Sequence, residues 1–392
     1  MTTPSATSVY IHFPYCLRRC AYCDFATTVA RDIPRDAYLA AILAELQLRA
    51  RDLTPAPIAT VFFGGGTPSL WGANNVGAVL AWLDRWAGLP ADAEVTLEAN
   101  PGATEFSTLA EYAAAGVNRI SVGIQALDDR RLRALDRVHD SAGALGALKQ
   151  LGELLGAGRL RSASADLIFG APGQTLADLQ ADVRRVLDHG LPHLSAYSLT
   201  VEPGTPLHQR VERQVQAAPD EDLQADMLAA LPALCAPYGL SRYEVSNYAQ
   251  LNHTCRHNLA YWTGRYYLAA GVGAHGFLPA ATPGWLGRRY GNARSHQKWL
   301  SAVTRGAFAE ELSEDIDAET HLAERVLTGL RLTEGLDLEA LRRDVGEPLS
   351  QALLQRAHKA IARGRPLQVS GTRICVPGEA LHLLDALVLD LV

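Results

Sequence analysis

Three cysteines, Cys16, Cys20 and Cys23, fall within the stretch CLRRCAYCDF at residues 16–25. Thiolates are soft metal ligands, and in a reducing compartment a tight group of them points to metal or redox chemistry rather than to a disulfide framework. Spacings of four and three would also align the three on one side of a helix, as a buried apolar stripe does. Pro14 and the polar Arg18, Arg19 and Asp24 suit a loop leaving a strand better. Two metal sites then stay open: zinc with a distant fourth ligand, or an iron-sulfur cubane whose fourth iron has no protein ligand. The spacing favours the cubane. The other cysteines, Cys235, Cys255 and Cys375, are scattered and read as small buried hydrophobes.

A second candidate is GGGTP, residues 64–68, directly after the apolar VFF. Glycines let a backbone approach a ligand closely, so that amide groups bind a carboxylate and carbonyls receive an ammonium group. The bland alternative is a tight strand-to-helix turn. A phosphate loop is excluded, because no GK[ST] follows.

These residues need a scaffold. Short apolar runs at SVYIHF (8–13), TVFF (60–63), EVTLEA (94–99), RISVGI (119–124), ADLIFG (165–170) and HLSAYSLT (193–200) alternate with amphipathic patterns at 36–51, 74–86, 105–115, 141–156 and 175–189. Such alternation implies parallel strands joined by helical crossovers. An open or complete α/β barrel fits best, although a doubly wound sheet would alternate in the same way. Nearly every run ends in residues suited to chemistry: Cys16, GGGTP, EANP (98–101), Gln125, GAPGQ (170–174) and VEPGT (201–205). In a barrel those loops meet on one face.

Beyond about residue 215 the pattern changes. A helical stretch at 220–236 leads into SRYEVSNYA (241–249), HTCRHNLAYW (253–262) and the glycine-rich YYLAAGVGAHGF (266–277). From about 305 the chain reads as helical again, at 317–331, 335–346 and 348–363, and closes with the strand-like PLQVS (366–370) and TRICVP (372–377). Helices followed by a small hairpin suggest a winged-helix-like module. The expected division is a barrel over 1–215, an extension over 216–304 and a mainly helical module over 305–392.

YIHFPYCLRRCAYCDF resembles the cluster loop of radical S-adenosylmethionine (SAM) proteins, and GGGTP at the next strand end sharpens the resemblance. It implies an α/β fold with a partial (β/α)6 barrel. It further implies a [4Fe-4S] cluster on Cys16, Cys20 and Cys23, with SAM chelating the open iron; in that family SAM is cleaved there to a 5'-deoxyadenosyl radical, a step the motifs by themselves do not assign to this chain. By position in the motifs, Tyr10, Tyr22, Gly65, Gly66, Thr67, Glu98, Gln125, Arg137 and Asp166 are the implied SAM contacts. Carboxylates accept ribose hydroxyls, and an arginine pairs with a carboxylate. Taken singly, Glu98 or Asp166 could simply cap a helix.

From residue 8 to about 277 the motifs follow the order of proteins similar to oxygen-independent coproporphyrinogen III oxidase. The oxidase branch carries one more cysteine two residues after the third, where this chain has Phe25. The haem-chaperone branch, HemW, lacks it and carries HNxxYW, matched here by His257, Asn258, Tyr261 and Trp262. If that motif is helical, His257 and Tyr261 lie one turn apart, as do Asn258 and Trp262. Imidazole ligates haem iron and flat rings cover a macrocycle. The alternative is a satisfied core histidine with two anchoring aromatics. No CxxCH occurs for covalent attachment of the c type. Cys255 could touch a bound haem, and His275 reads as structural.

The resemblance therefore implies a haem chaperone binding haem, a [4Fe-4S] cluster and SAM, with haem on His257. Acceptor haem proteins, respiratory ones foremost, would be the partners, with peripheral membrane association through them. The rival is radical decarboxylation of coproporphyrinogen III. Composition agrees with a soluble protein: 48% hydrophobic and 20% charged residues with no long apolar run. The start MTTPSATSVY has no secretory pattern, so a cytoplasmic location is expected. A net charge of -6 argues against nucleic acid, and in the C-terminal module Arg342–Arg343 is too thin a basic signal for it.

Overall fold

The computed structural model of the chain describes residues 7–102 and 108–392. Six strands pair in parallel, each with its neighbour in the chain: β1 (Ser8–Phe13), β2 (Thr60–Gly65), β3 (Glu94–Ala99), β4 (Arg119–Gln125), β5 (Ser162–Phe169) and β6 (His193–Ser198). They are buried on both faces almost throughout, which is why they read as continuous apolar runs rather than as alternating ones. The strand order never reverses, so the doubly wound alternative is excluded. Nor does β6 return to β1. Its free edge takes the antiparallel β7 (Asn247–Ala249), and the barrel stays open.

Helices cover the outer face. In α1 (Arg35–Arg49), Tyr38, Ala41, Ile42, Glu45 and Leu46 are buried at helical spacing, one stripe against the sheet. α2 (Ala73–Ala87), α3 (Leu109–Ala114), α4 (Ser141–Gly156) and α5 (Leu176–Leu187) follow the next strands. Thr108 with Glu111, and Thr175 with Asp178, form capping boxes that fix where α3 and α5 start. The helical reading at 105–115 falls partly on residues 105–107, outside the described residues.

The sheet also grows on the β1 side, where the sequence reading assigned no strands. β8 (Tyr267–Ala270) lies parallel beside β1, and β9 (His275–Leu278), β10 (Gly287–Asn292) and β11 (Glu310–Ile316) continue antiparallel. The expectation of helix from about 305 is therefore corrected for 310–316. EELSEDI is an edge strand whose charges keep it out of any hydrophobic pattern while blunting the open edge.

After α6 (Glu221–Cys235) and α7 (Arg256–Trp262), the helices α8 (Ala318–Gly329), α9 (Leu338–Val345) and α10 (Glu347–Ala362) build a second core around Leu322, Val326, Leu341, Leu353 and Ile374. A small sheet joins Leu336–Asp337 to the hairpin Gln368–Ser370 and Arg373–Cys375. No helix among the described residues is long and apolar enough to cross a membrane.

Candidate cofactor site at the barrel mouth

The C-terminal ends of the parallel strands and the cysteine loop share one mouth. After β1 the chain passes Pro14 into Tyr15–Cys16, which pairs with Thr28–Val29 and so closes the loop carrying Cys20 and Cys23. Within the loop the Cys23 amide donates to the Cys20 carbonyl at 3.3 Å, and the Arg19 guanidinium donates to the Cys23 carbonyl. GGGTP is stitched to it: Gly66 N–H donates to Phe13 O at 2.7 Å and Thr67 N–H to Tyr15 O at 2.9 Å. Two glycines are sterically required. Gly65 has φ +115°, and a Cβ on Gly66 would stand 2.7 Å from the Tyr15 carbonyl oxygen.

A cavity of about 340 Å³ opens there, lined by Cys20, Tyr22, Cys23, Gly65, Gly66, Thr67, Glu98, Gln125, Arg137 and Asp166, all from the sequence-derived set. Two members stand behind its wall. Cys16 is buried next to the Thr67 hydroxyl, 3.6 Å away. Tyr10 lies deeper, with its hydroxyl on His12 Nδ1 at 3.0 Å and its ring stacked on Phe62.

Arg137 organises the mouth. Its guanidinium donates to Cys20 Sγ at 3.3 Å, to the Tyr22 hydroxyl at 3.4 Å, to Gly123 O at 2.9 Å and to Asn100 Oδ1. Arg137 thus sets a positive charge against the Cys20 sulfur. Burial pushes the Cys16 thiol up to about 11 against the smaller lowering by Thr67. Opposite Arg137 sit two recessed carboxyls. Gly65 N–H donates to Glu98 at 3.1 Å and the Ser121 hydroxyl to Asp166 at 3.0 Å. Burial, then the neighbouring Asp166 charge, pushes Glu98 up to about 8, and burial raises Asp166 as well. Such a pair accepts hydroxyls or a cationic group from a ligand.

The Radical SAM superfamily matches residues 10–186, and the HemN C-terminal domain matches residues 316–383. The "Heme chaperone HemW" of Mycobacterium tuberculosis is 36% identical over 383 residues, 97% of this chain and 93% of its own length. The chain belongs to the HemW family of radical SAM proteins. The mouse "Radical S-adenosyl methionine domain-containing protein 1, mitochondrial" is 34% identical over 400 residues, 98% of this chain and 87% of its own length. Among solved structures, the coproporphyrinogen III oxidase HemN from Escherichia coli shares the fold, with a TM-score of 0.81 at 19% identity, covering 99% of this chain and 90% of that one.

Binding of a [4Fe-4S] cluster and SAM follows from the family, and the mouth of this member suits both. Cys16, Cys20 and Cys23 are free thiols, and an arginine faces one of them.

The HNLAYW segment sits at the other end of the barrel. α7 starts beneath β3, where the Glu94 carboxylate accepts from the amides of Arg256 and His257 at 3.0 Å each, with Cys255 Sγ 3.6 Å away. His257 is fully buried and stacked on Phe62 at 5.1 Å. Its Nδ1 lies 2.7 Å from the Thr60 hydroxyl and its Nε2 lies 2.9 Å from the Tyr261 hydroxyl. Thr60 begins β2 and Gly65 ends it, so the two sites singled out in the sequence lie at opposite ends of one strand. Burial lowers the His257 pKa to about 3 and keeps the ring neutral. Both nitrogens are engaged, so coordination of iron by His257 requires breaking one of those bonds. Tyr261 and Trp262 line a second cavity, whereas Asn258 is half-buried outside it and His275 is exposed on β9.

Sequence reasoning passed over Asn100, Ser121 and His12. Asn100 bridges Thr67 and Arg137, and stood in the quoted EANP. Ser121 shares the inward face with Gly123 and Gln125, two and four residues on, a period of two that was there to be read. His12 packs against the glycine turn and binds Ala26 O at 2.9 Å, and no sequence signal marks it.

Glu98 yields a pH prediction. A carboxyl raised from 4.5 to about 8 keeps its proton in the fold where the unfolded chain has lost it. Its contribution is thus complete below pH 4.5 and declines as pH rises through about 8. Thermal melting of cofactor-free protein is expected to fall between pH 5 and 8.5, and Glu98→Gln is expected to flatten that slope. An unchanged slope in the variant would remove Glu98 as its source.

Proposed function

We propose that this chain is a haem chaperone, which holds a [4Fe-4S] cluster and SAM at the barrel mouth, binds haem and hands it to acceptor haem proteins, respiratory ones foremost. The supporting observation is Phe25. Its ring is 59% exposed at the rim of the cofactor cavity, where the oxidase pattern would set a further thiol. An apolar side chain there adds contact surface and no ligand.

In this reading Cys16, Cys20 and Cys23 hold the cluster, which when bound supplies one electron beside the SAM sulfonium. Gly65, Gly66 and Thr67 receive the methionine end of SAM through backbone groups. Glu98 and Asp166 take hydroxyls, Gln125 and Tyr22 line the nucleoside path, Arg137 fixes the Cys20 side of the loop, and Tyr10 supports the floor. Haem docks at α7, which carries His257, Asn258, Tyr261 and Trp262, and reaches the buried His257 only once one of its two hydrogen bonds opens. The barrel over 1–215, the extension over 216–304 and the helical module over 305–392 divide these tasks, in a cytoplasmic setting.

The complete set of polar groups facing the SAM cavity also favours a second reading, radical decarboxylation of coproporphyrinogen III. One paired assay separates the two. Anaerobically reconstituted protein with SAM and coproporphyrinogen III is expected to form no protoporphyrinogen, while haem added to it develops a Soret band that passes to a haem-free acceptor. His257→Ala, which strands the Thr60 and Tyr261 hydroxyls, is expected to weaken haem binding by about tenfold or more. Formation of protoporphyrinogen would reverse the assignment.

A further inference from the structure

Away from the mouth, α7 and α8 enclose a cavity of about 280 Å³ walled by Tyr261, Trp262, Tyr267 and Phe277. Tyr261 and Tyr267 meet edge to face at 4.6 Å, and Phe277 stacks on His321. The polar atoms that its lining residues carry into the wall are incompletely partnered. Among the described residues Trp262 Nε1, His321 Nδ1 and Arg325 Nε are buried atoms with no hydrogen-bond partner.

Arg325 is the strongest of these. It is only 4% exposed, and its Nη1 is spent on Trp262 O at 2.7 Å and the Thr328 hydroxyl at 3.4 Å. The other internal arginine of the cavity, Arg289, is held by Glu314 and Glu324. Arg325 has no carboxylate within 4 Å among the described residues. A buried guanidinium without a counter-charge destabilises the fold unless an anion reaches it. The fold builds this placement deliberately: Gly264, at φ +65°, crosses Arg325 so closely that a Cβ there would lie 2.4 Å from its Cδ. Burial lowers the Arg325 pKa, with Asp344 and Asp337 opposing it from a distance.

We infer that this cavity is a binding site for a carboxylate carried on a flat aromatic body, with Arg325 taking the carboxylate and Tyr261, Trp262 and Phe277 framing the ring. Resting on the haem-chaperone reading, that ligand is one propionate-bearing edge of haem. Sites that enclose a whole ligand measure about 300–1,000 Å³. A cavity of about 280 Å³ grips an edge and leaves the rest of the macrocycle exposed, as a carrier requires.

The test titrates haem, iron-free protoporphyrin and its dimethyl ester onto the full-length reconstituted protein, followed by the Soret band and tryptophan quenching. A lost charge-assisted contact costs about 1.5–3 kcal/mol, hence about tenfold or more in affinity. The wild type is expected to prefer the free diacid to the diester by that factor, and Arg325→Met to lose haem and iron-free porphyrin alike. Equal affinity for diacid and diester overturns the site, and that comparison needs no variant should Arg325→Met fail to fold. Wild type that binds haem while Arg325→Met binds it equally well overturns the site alone. Wild type that binds no haem removes the chaperone reading together with it.

Discussion

Gly66→Ala is expected to empty the cofactor site. The added Cβ would stand 2.7 Å from the Tyr15 carbonyl and 2.8 Å from the Pro14 carbonyl, and both neighbours are backbone atoms that cannot rotate aside. Relief requires moving GGGTP away from the start of the cysteine loop. That movement breaks the 2.7 Å bond from Gly66 N–H to Phe13 O and the 2.9 Å bond from Thr67 N–H to Tyr15 O. Overpacking of this kind costs about 3 kcal/mol. The loss should concentrate at the mouth, because the second core around Leu353 and Ile374 lies elsewhere. Iron content after anaerobic reconstitution and SAM binding by calorimetry are therefore expected to drop at least about tenfold, with the far-ultraviolet circular dichroism largely kept. Wild-type iron content and SAM affinity in Gly66→Ala would show that the stitched turn does not set the site.

The dependence of one loop on the other explains how much could be read without coordinates. The six parallel strands were legible because strands buried on both faces are written as apolar runs, and α4 because Ala144, Leu148, Leu151 and Leu154 recur at helical spacing on its buried side. Most of the mouth was legible because the residues sit at strand ends, where chain order already groups them. What escaped was set by tertiary pairing. EELSEDI is a strand only because β10 offers it an edge, and YLAA becomes a parallel neighbour of β1 only once the chain has returned past α7. His257 makes the same point. Its type and spacing suggested an iron ligand, yet its two partners, Thr60 and Tyr261, come one from nearly 200 residues away and one from its own helix. Arg325 gave no sequence signal at all, since an unpaired cation is visible only when every neighbour is known.

The two ends of the barrel are joined through a column of rings. Tyr10 stacks on Phe62, Phe62 on His257, and His257 meets Tyr261 edge to face at 5.0 Å. Tyr10 reaches the mouth through His12, which packs under Gly65. A column of rings in contact transmits a displacement to the extent that it has little room to absorb one.

Cys20→Ser is expected to abolish the cluster while leaving the fold standing. Serine is a poor ligand for iron beside thiolates. Cys20 lies in an accessible loop, and Arg137 retains its bonds to Gly123 and Asn100 when the thiol is gone. Iron and acid-labile sulfide in the reconstituted variant should therefore fall to about a tenth of wild type or less, because a cubane missing one of its three corners is released. SAM binding should go with it, whereas melting of the cofactor-free form should shift little. Cys375→Ser is the control. That thiol packs in the C-terminal hairpin with its Sγ 3.2 Å from Glu334 O, and a serine hydroxyl can make the same contact without touching the mouth. Iron retained in Cys20→Ser, or lost in Cys375→Ser, would place the metal on a different set of thiols. Retention of zinc by wild type in place of iron and sulfide would remove the cubane, and with it the reason for the arginine and glycines that surround Cys20.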